Sequence, residues 1–366
     1  MQVLHQGGGA GSVTSTLHLS VGLARAGLHV RFVCPPGSEV ESQARQYDLE
    51  VHPLVLQPRR GWANAARLAE LLQRYPVALV NSQSARDRDA LTRLAVSRRL
   101  SVPFIATRRQ MPRTSFLANW LTSRVATRMI AVSNAVGEAL VRRGTPRSKL
   151  AVIPNGVVTD RLDIPVHEHA LETWRRRIGW EPSRRTIGIV ARLKDQAVVL
   201  RALADVEPPV RLVLAGTEPT GELGRLATRV PERHRVVFVP FDSDVRPLYD
   251  LLELVLLPSH SEGLSQALLE AMALGRPVIA SAATGNLEVV THGRDGLLVE
   301  PRSPAAWAAA IQGLLADTQV AHQMGTAARR VARDKFSLSL TIQRTIELYQ
   351  LILEAQVRDV APARPY

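Results

Sequence analysis

The 366-residue sequence has a single cysteine, Cys34, which excludes an internal disulfide and any zinc site built on several thiolates. No apolar run reaches the roughly 18–20 residues needed to cross a bilayer. Aromatic residues make up only 4% of the chain, and no recognised nucleic-acid-binding motif is present, which argues against a DNA- or RNA-binding protein. Lysine is almost missing: 43 arginines stand against Lys149, Lys194 and Lys335. The opening residues Met1-Gln2-Val3-Leu4-His5 enter a strand-like run without a basic segment or long apolar stretch, so no signal peptide is expected. The expected location is the cytoplasm.

Hydrophobic residues account for 46% and charged residues for 22% of the chain, a soluble globular composition that excludes a mainly disordered chain or a membrane bundle. The length exceeds what one core usually holds and points to two domains. Net charge is +13 and unevenly placed. Residues 1–165 carry 22 basic and 10 acidic residues, residues 166–366 carry 24 and 23. A basic first half suits an anionic partner: an acidic acceptor, a phospholipid surface or nucleic acid. The last is kept as the alternative outside enzymology, separable by filter binding at physiological salt.

Short apolar runs alternate with helix-patterned stretches throughout. The first half offers strands near 3–5, 30–33, 51–55, 77–81, 103–107, 129–133 and 151–153. The second offers 186–191, 211–215, 236–239, 254–257, 278–280 and 297–299. Helical spacing marks 13–26, 61–74 and 266–274. Strand–helix alternation predicts an α/β fold with parallel sheets covered on both faces, and two series predict two Rossmann-like domains. The polar stretch 160–185, with Arg175-Arg176-Arg177 and Pro182, is the expected boundary. Residues 337–356 read as a final helix capped by Ser337, with Leu340, Ile346, Tyr349 and Leu353 on its apolar face, and 361–366 as a frayed tail.

Two stretches carry candidate chemistry. Gly7-Gly8-Gly9-Ala10-Gly11-Ser12 follows the first strand and opens a helix; such glycines let a ligand approach the amides at a helix N-terminus, although a tight turn explains them as well. Ser12 stands where a dinucleotide fingerprint needs a third glycine, and Cys34-Pro35-Pro36 where it needs an acid, which disfavours a nicotinamide dehydrogenase. The second stretch, 259–275, reads SHSEGLSQALLEAMALG. Glu262 falls in a loop and Glu270 in the following helix. Two carboxylates beside a helix N-terminus suit a ligand with both diol and phosphate groups, while a loop acid and a solvated helix face are the plain alternatives.

With EGLSQALLEAMALGRPVIAS and EVVTHGRDGLLVEP, the chain closely resembles the family-4 retaining glycosyltransferases of GT-B fold. GGGAGS, AVSNAV, VIPNGV, GIVARL and LVLAG follow in family order over nearly the full length. The resemblance implies two Rossmann-like domains with parallel sheets facing across a cleft. Residues 1–165 would bind the acceptor, with a final helix at about 340–366 packing back on them, and 166–339 would bind the nucleotide sugar. No cofactor or metal is implied, the donor being a co-substrate, expected to be a UDP-sugar. Glu262 would bond the sugar hydroxyls and Glu270 the ribose diol, while Gly263, Leu264 and Ser265 present amides to the diphosphate. Arg192 and Lys194 would clamp that diphosphate from ARLKDQAVVLRAL, a loop about three residues shorter than usual with Asp195 in place of glycine. Gly9, Gly11, Gly216 and Phe238 would complete the donor site, the nucleobase lying against 237–241. Arg192, Lys194 and Glu262 are the expected catalytic groups. The implied reaction is a metal-independent front-side transfer of a hexose with retention, to an anionic or membrane-associated acceptor such as a cell-envelope glycolipid or lipopolysaccharide core. A nucleotide-sugar epimerase is the enzymatic alternative.

Asp242-Ser243-Asp244 has the spacing of a metal motif but reads as a solvated turn. Where many relatives carry a histidine, this chain has Asn81-Ser82-Gln83-Ser84 and Thr107-Arg108-Arg109-Gln110, so Arg108 and Arg109 either meet an anionic acceptor or face solvent. Thr284-Gly285-Asn286-Leu287 replaces a loop richer in glycine and proline. His5 and His260 have no partner identifiable in the sequence and are expected to be structural or solvated. In 112–128, Phe116, Trp120 and Leu121 share a helical stripe with Leu117 beside it and Arg113, Arg124 and Arg128 flanking. That stripe either packs on the sheet or lies on an anionic membrane at the inner face of the cell membrane.

Overall fold

The computed structural model describes residues 1–159, 162–242 and 244–360. The tail 361–366, Ser243 of the acidic turn and Asp160 of the expected boundary lie outside the described residues. The chain forms two compact units, Met1–Gly156 with Leu338–Tyr366, and Val157–Ser337.

The first unit contains β1 (Gln2–Val3), α1 (Gly11–Arg25), β2 (Arg31–Cys34), α2 (Glu39–Gln46), β3 (Glu50–Pro53), α3 (Gly61–Arg74) and β4 (Val80–Ser82). It continues with α4 (Ala85–Val96), β5 (Phe104–Arg108), α5 (Phe116–Val125), β6 (Arg128–Ala131), α6 (Asn134–Val141) and β7 (Leu150–Val152). The second unit contains α7 (Glu168–Ile178), β8 (Arg185–Val190), α8 (Gln196–Ala202), β9 (Val210–Ala215), α9 (Gly221–Ala227), β10 (Arg235–Val239) and α10 (Arg246–Leu251). After these come β11 (Leu254–Leu257), α11 (Gln266–Ala273), β12 (Val278–Ser281), α12 (Asn286–Val289), β13 (Leu297–Val299), α13 (Pro304–Ala316) and α14 (Thr318–Phe336). Helix α15 (Leu338–Val360) returns to the first unit.

The sheets run β3-β2-β1-β4-β5-β6-β7 and β10-β9-β8-β11-β12-β13, with parallel pairing between neighbours. Every residue of β9 is buried, as a central parallel strand covered on both faces requires. Its Leu212 and Leu214 pack with Ile187, Ile189, Leu254, Leu256 and Trp307 in the core of the second unit. In both sheets the strand order reverses beside the first strand of the unit, at β1/β4 and at β8/β11. The connections leave such a point in opposite directions and open a crevice at the carboxyl ends of the strands.

The first unit is closed by α15. A Cβ at Gly22 of α1 would lie 2.1 Å from Ile342 Cδ1, so the two helices touch where only glycine fits. Buried at the same face, the Tyr349 hydroxyl accepts from Gln2 Nε2 at 2.9 Å and Asn81 Nδ2 at 2.8 Å. The stretch expected to separate the domains holds α7, which stops at Gly179 in the left-handed conformation that glycine adopts without strain (φ 61°). Charge divides with the units: the first has 24 basic and 11 acidic residues, the second 22 of each, so the whole +13 belongs to the first. Among the described residues no helix is long and apolar enough to cross a membrane.

Candidate active site

In the second unit the loops after β8, β11 and β12 meet at the reversal point. Asp195, which stands where the family has glycine, joins the first two. Its N–H donates to the Pro258 carbonyl at 3.2 Å, and its Oδ2 accepts from His260 N at 2.8 Å and lies 2.6 Å from His260 Nδ1. His260 thus has a structural partner that the sequence alone did not identify. The loop after β12 holds Glu262 from the other side. Thr284 Oγ1 lies 2.8 Å from both the N and the O of Glu262, and Gly285 N donates to the same carbonyl at 3.2 Å. A Cβ at Gly285 would fall 2.2 Å from Gly263 O, so that close approach requires glycine.

This frame fixes the charged groups. The Glu262 carboxylate, largely buried, receives Lys194 Nζ at 2.7 Å. Arg192 is exposed, and its guanidinium has no partner among the described residues. Ser265 caps α11 through its side chain, yet the N–H groups of Gly263, Leu264 and Ser265 donate to no acceptor among the described residues. Amides without an acceptor at a helix N-terminus, on a loop joined through Asp195 to the one that carries Arg192 and Lys194, make a candidate anion site. Gly216, at φ +91°, donates to Val239 O at 2.8 Å and leaves only 3.1 Å between its Cβ position and Ala191 O, which lets the loops after β8 and β9 approach.

Glu270 lies within α11. Burial pushes its carboxyl up to about 7, against the opposing pull of hydrogen bonds from Gln266 and Tyr249. The Tyr249 hydroxyl is 3.4 Å from Glu270 Oε2. Phe238 is placed differently from the expectation: its side chain packs on the core of the unit, and it is Phe241, beyond the strand, that is exposed. Strand alternation turns residues 236 and 238 to the same inner face. Asp242 meets Arg177 at 2.5 Å and accepts from Asp244 N at 2.9 Å.

In the first unit, Gly9 (φ +65°) and Gly11 shape the turn into α1. Cβ positions on Gly7 and Gly8 would lie 2.9 Å from Ser38 Cβ and Glu39 Oε2, so this turn sits against the start of α2. His5 also has partners. Its Nδ1 is 2.6 Å from Ser84 Oγ and 3.0 Å from the fully buried Asp87, while Asp87 accepts from Gln83 N and Ser84 N at 2.7 and 2.8 Å. Ser84-x-x-Asp87 is a capping pattern legible in sequence; its contact with His5 is not. Arg109 is buried, its fork taken up by Gln83 (2.9 Å) and Asn155. It does not face solvent. Arg108 is buried as well, bonded to Thr114. On α5 the buried face is polar, Asn119, Thr122 and Ser123, whereas Phe116, Leu117, Trp120 and Leu121 are exposed, as is Arg113.

Two family models cover most of the chain: a glycosyltransferase family 4 model matches residues 9–161 and a glycosyl transferases group 1 model residues 184–317. The chain belongs to the family-4 glycosyltransferases. Among solved structures this family-4 chain resembles Anabaena HepE in complex with UDP and glucose, with TM-score 0.84 and 22% identity over 95% of this chain and 98% of that one. WaaG, a glycosyltransferase involved in lipopolysaccharide biosynthesis, gives TM-score 0.69 and 18% identity over 96% and 97%. Both show the GT-B fold expected from the sequence. A D-inositol 3-phosphate glycosyltransferase of Xylanimonas cellulosilytica is 32% identical over 64% of this chain and 58% of its own length. An uncharacterised glycosyltransferase of Methanocaldococcus jannaschii is 28% identical over 65% and 64%. The match thus spans less than two thirds of either curated relative.

Burial of Glu270 has a measurable consequence. Its folded pKa lies above the unfolded carboxylate value, so its contribution to stability is complete below about 4.5 and disappears as pH rises through about 7. Carboxyl NMR should find a Glu270 midpoint near 7, and Glu270→Gln should flatten that part of the pH–stability curve. A midpoint near 4.5 would contradict the burial described here.

Proposed function

We propose that this chain is a retaining, metal-independent hexosyltransferase that uses a UDP-sugar. The observation that carries the reading is the set of amides at 263–265 with no acceptor among the described residues, on a loop tied through Asp195 to the one that carries Arg192, whose guanidinium likewise has no partner among the described residues. A diphosphate suits these groups: its oxygens accept from the amides, and Arg192 and Lys194 offset its charge, the task a metal performs in other folds. Glu270 accepts from the ribose diol, and Glu262, held by Lys194, from the sugar hydroxyls. Support for uridine comes from HepE, whose structures hold UDP or UDP-glucose. The aromatic ring at the base-binding end is Phe241 rather than Phe238, with Gly216 admitting the nucleotide.

As the bond between the anomeric carbon and the diphosphate oxygen breaks, negative charge grows on that oxygen. Arg192, always protonated and fork-shaped, holds it. The acceptor oxygen bonds to the same face of the sugar, and its proton passes to the departing phosphate. The first unit supplies the acceptor site, and its +13 charge suits an anionic or membrane-associated acceptor, such as a cell-envelope glycolipid or lipopolysaccharide core. The exposed stripe of α5, with Arg113 and Arg124 beside it, is the part suited to an anionic membrane at its cytoplasmic face.

Arg192→Ala should lower turnover about 10²- to 10³-fold, as for loss of one preorganised donor to a developing anion, with a smaller loss in donor binding. EDTA should leave the wild-type rate unchanged. Near-normal turnover in the variant, or activity lost to EDTA and restored by Mg²⁺, would remove the cationic clamp.

Membrane contact is tested by vesicle sedimentation. Binding should rise with acidic lipid, fall with salt as charges are screened over about 8 Å, and drop in a Phe116→Ser/Trp120→Ser double variant. Equal binding to neutral and acidic vesicles would exclude the anionic-surface role.

A further inference from the structure

Arg88, Arg108 and Arg143 converge in the first unit from the first turn of α4, the end of β5 and the segment after α6. Arg108 and Arg88 are only 5% and 8% exposed. Thr114 joins two of them: its Oγ1 accepts from Arg108 Nη2 and its carbonyl from Arg143 Nε, both at 3.3 Å. Arg88 Nη1 donates to Ser84 O at 3.1 Å and Arg143 Nη1 to Ala139 O at 3.3 Å. The remaining donors, Nε and Nη1 of Arg108, Nε and Nη2 of Arg88 and Nη2 of Arg143, have no acceptor among the described residues. None of them is sealed from solvent.

No carboxylate among the described residues pairs with these three guanidiniums. The acids on the same helices are committed: Asp87 to Gln83 N, Ser84 N and His5, Asp89 to Arg93 at 3.0 Å, and Glu138 to Arg147 at 2.8 Å. Burial, and then the positive charges of Arg88 and Arg143, lower Arg108 to about 9, which leaves it charged at neutral pH. Two buried cations and a third beside them, with only Arg88 partly offset by the nearby charges of Asp87 and Asp89, are held at a desolvation and repulsion cost that an incoming anion would relieve.

We propose that Arg88, Arg108 and Arg143 form the receptor for a phosphate monoester on the acceptor. A monoester brings a charge near −2 and three strong acceptor oxygens, which match the three cations and their open donors better than a carboxylate or a phosphodiester, each with one charge. The proposal rests on the reading that the first unit takes the acceptor, and it names the group recognised there.

The full chain, saturated with UDP so that the diphosphate site is filled, is titrated with glycerol 1-phosphate by calorimetry. In a parallel arm it is mixed with phosphatidylcholine vesicles containing phosphatidic acid or, at equal charge, phosphatidylglycerol. The wild type should bind the monoester, and Arg108→Met and Arg143→Gln should each weaken that binding at least about tenfold while UDP affinity stays unchanged. Arg143 is only half-buried, so its variant keeps the test valid if Arg108→Met fails to fold. Binding of glycerol 1-phosphate assigns the site to a soluble phosphate. Preference for phosphatidic acid without binding in the soluble arm assigns it to a lipid headgroup. No monoester binding in either arm, or binding indifferent to both substitutions, overturns the proposal. Failure of UDP itself to bind would instead overturn the glycosyltransferase reading.

Discussion

Backbone amides at the start of a helix must find an acceptor, and in the second unit those of Gly263, Leu264 and Ser265 find none among the described residues. The strand order reverses between β8 and β11, so the loops that follow these strands diverge beside the N-terminus of α11. Everything else at this edge is arranged around that opening. Asp195 ties the loop after β8 to His260, Thr284 and Gly285 hold the backbone of Glu262, and Lys194 fixes its carboxylate. The Glu262 carboxylate and Lys194 thereby hold each other, while the exposed Arg192 guanidinium has no partner among the described residues.

The first unit shows a different use of charge. It holds the whole net positive charge, and part of that charge is buried rather than spread over the surface. Arg109 is absorbed into a hydrogen-bond network with Gln83 and Asn155 and serves the fold. Arg88, Arg108 and Arg143 are not absorbed in this way. Helix α5, which begins just beyond Thr114, is inverted, with hydroxyl and amide side chains inside and Phe116, Leu117 and Trp120 outside. Its inner face is satisfied by specific bonds, Asn119 Nδ2 to Thr145 Oγ1 at 2.9 Å and Thr92 Oγ1 to Thr122 Oγ1 at 3.1 Å, while Phe116 and Trp120 of the outer stripe rest against Gly144 and stay exposed.

Most of the architecture was legible because buried parallel strands are short runs of Val, Ile and Leu bounded by turn residues; helix 61–74 was read with the bounds that the structure shows. The strand expected at 77–81 begins only at Val80; Leu79 before it is buried and its carbonyl accepts from the Met1 amino group at 2.8 Å, but Val77 and Ala78 lie outside the ladder. Periodicity defined the stripe on α5 but not the direction it faces, which depends on what the opposite face can bond. The family motifs located Glu262, Glu270, Arg192 and the loop 263–265. They could not locate Tyr249 beside Glu270, the His5–Asp87 contact or the arginine cluster, since these join residues far apart in sequence through the packing of separate elements.

The claim that the open amides and Arg192 exist to hold a diphosphate is tested most directly by comparing UDP with UMP in calorimetric titrations of the full chain, with EDTA present throughout. The account predicts that UDP binds at least about tenfold more tightly than UMP, since the second phosphate brings the additional charge-assisted hydrogen bonds, and that this advantage disappears in Arg192→Ala. Equal affinities for the two nucleotides, or a UDP advantage that requires added Mg²⁺, would contradict it.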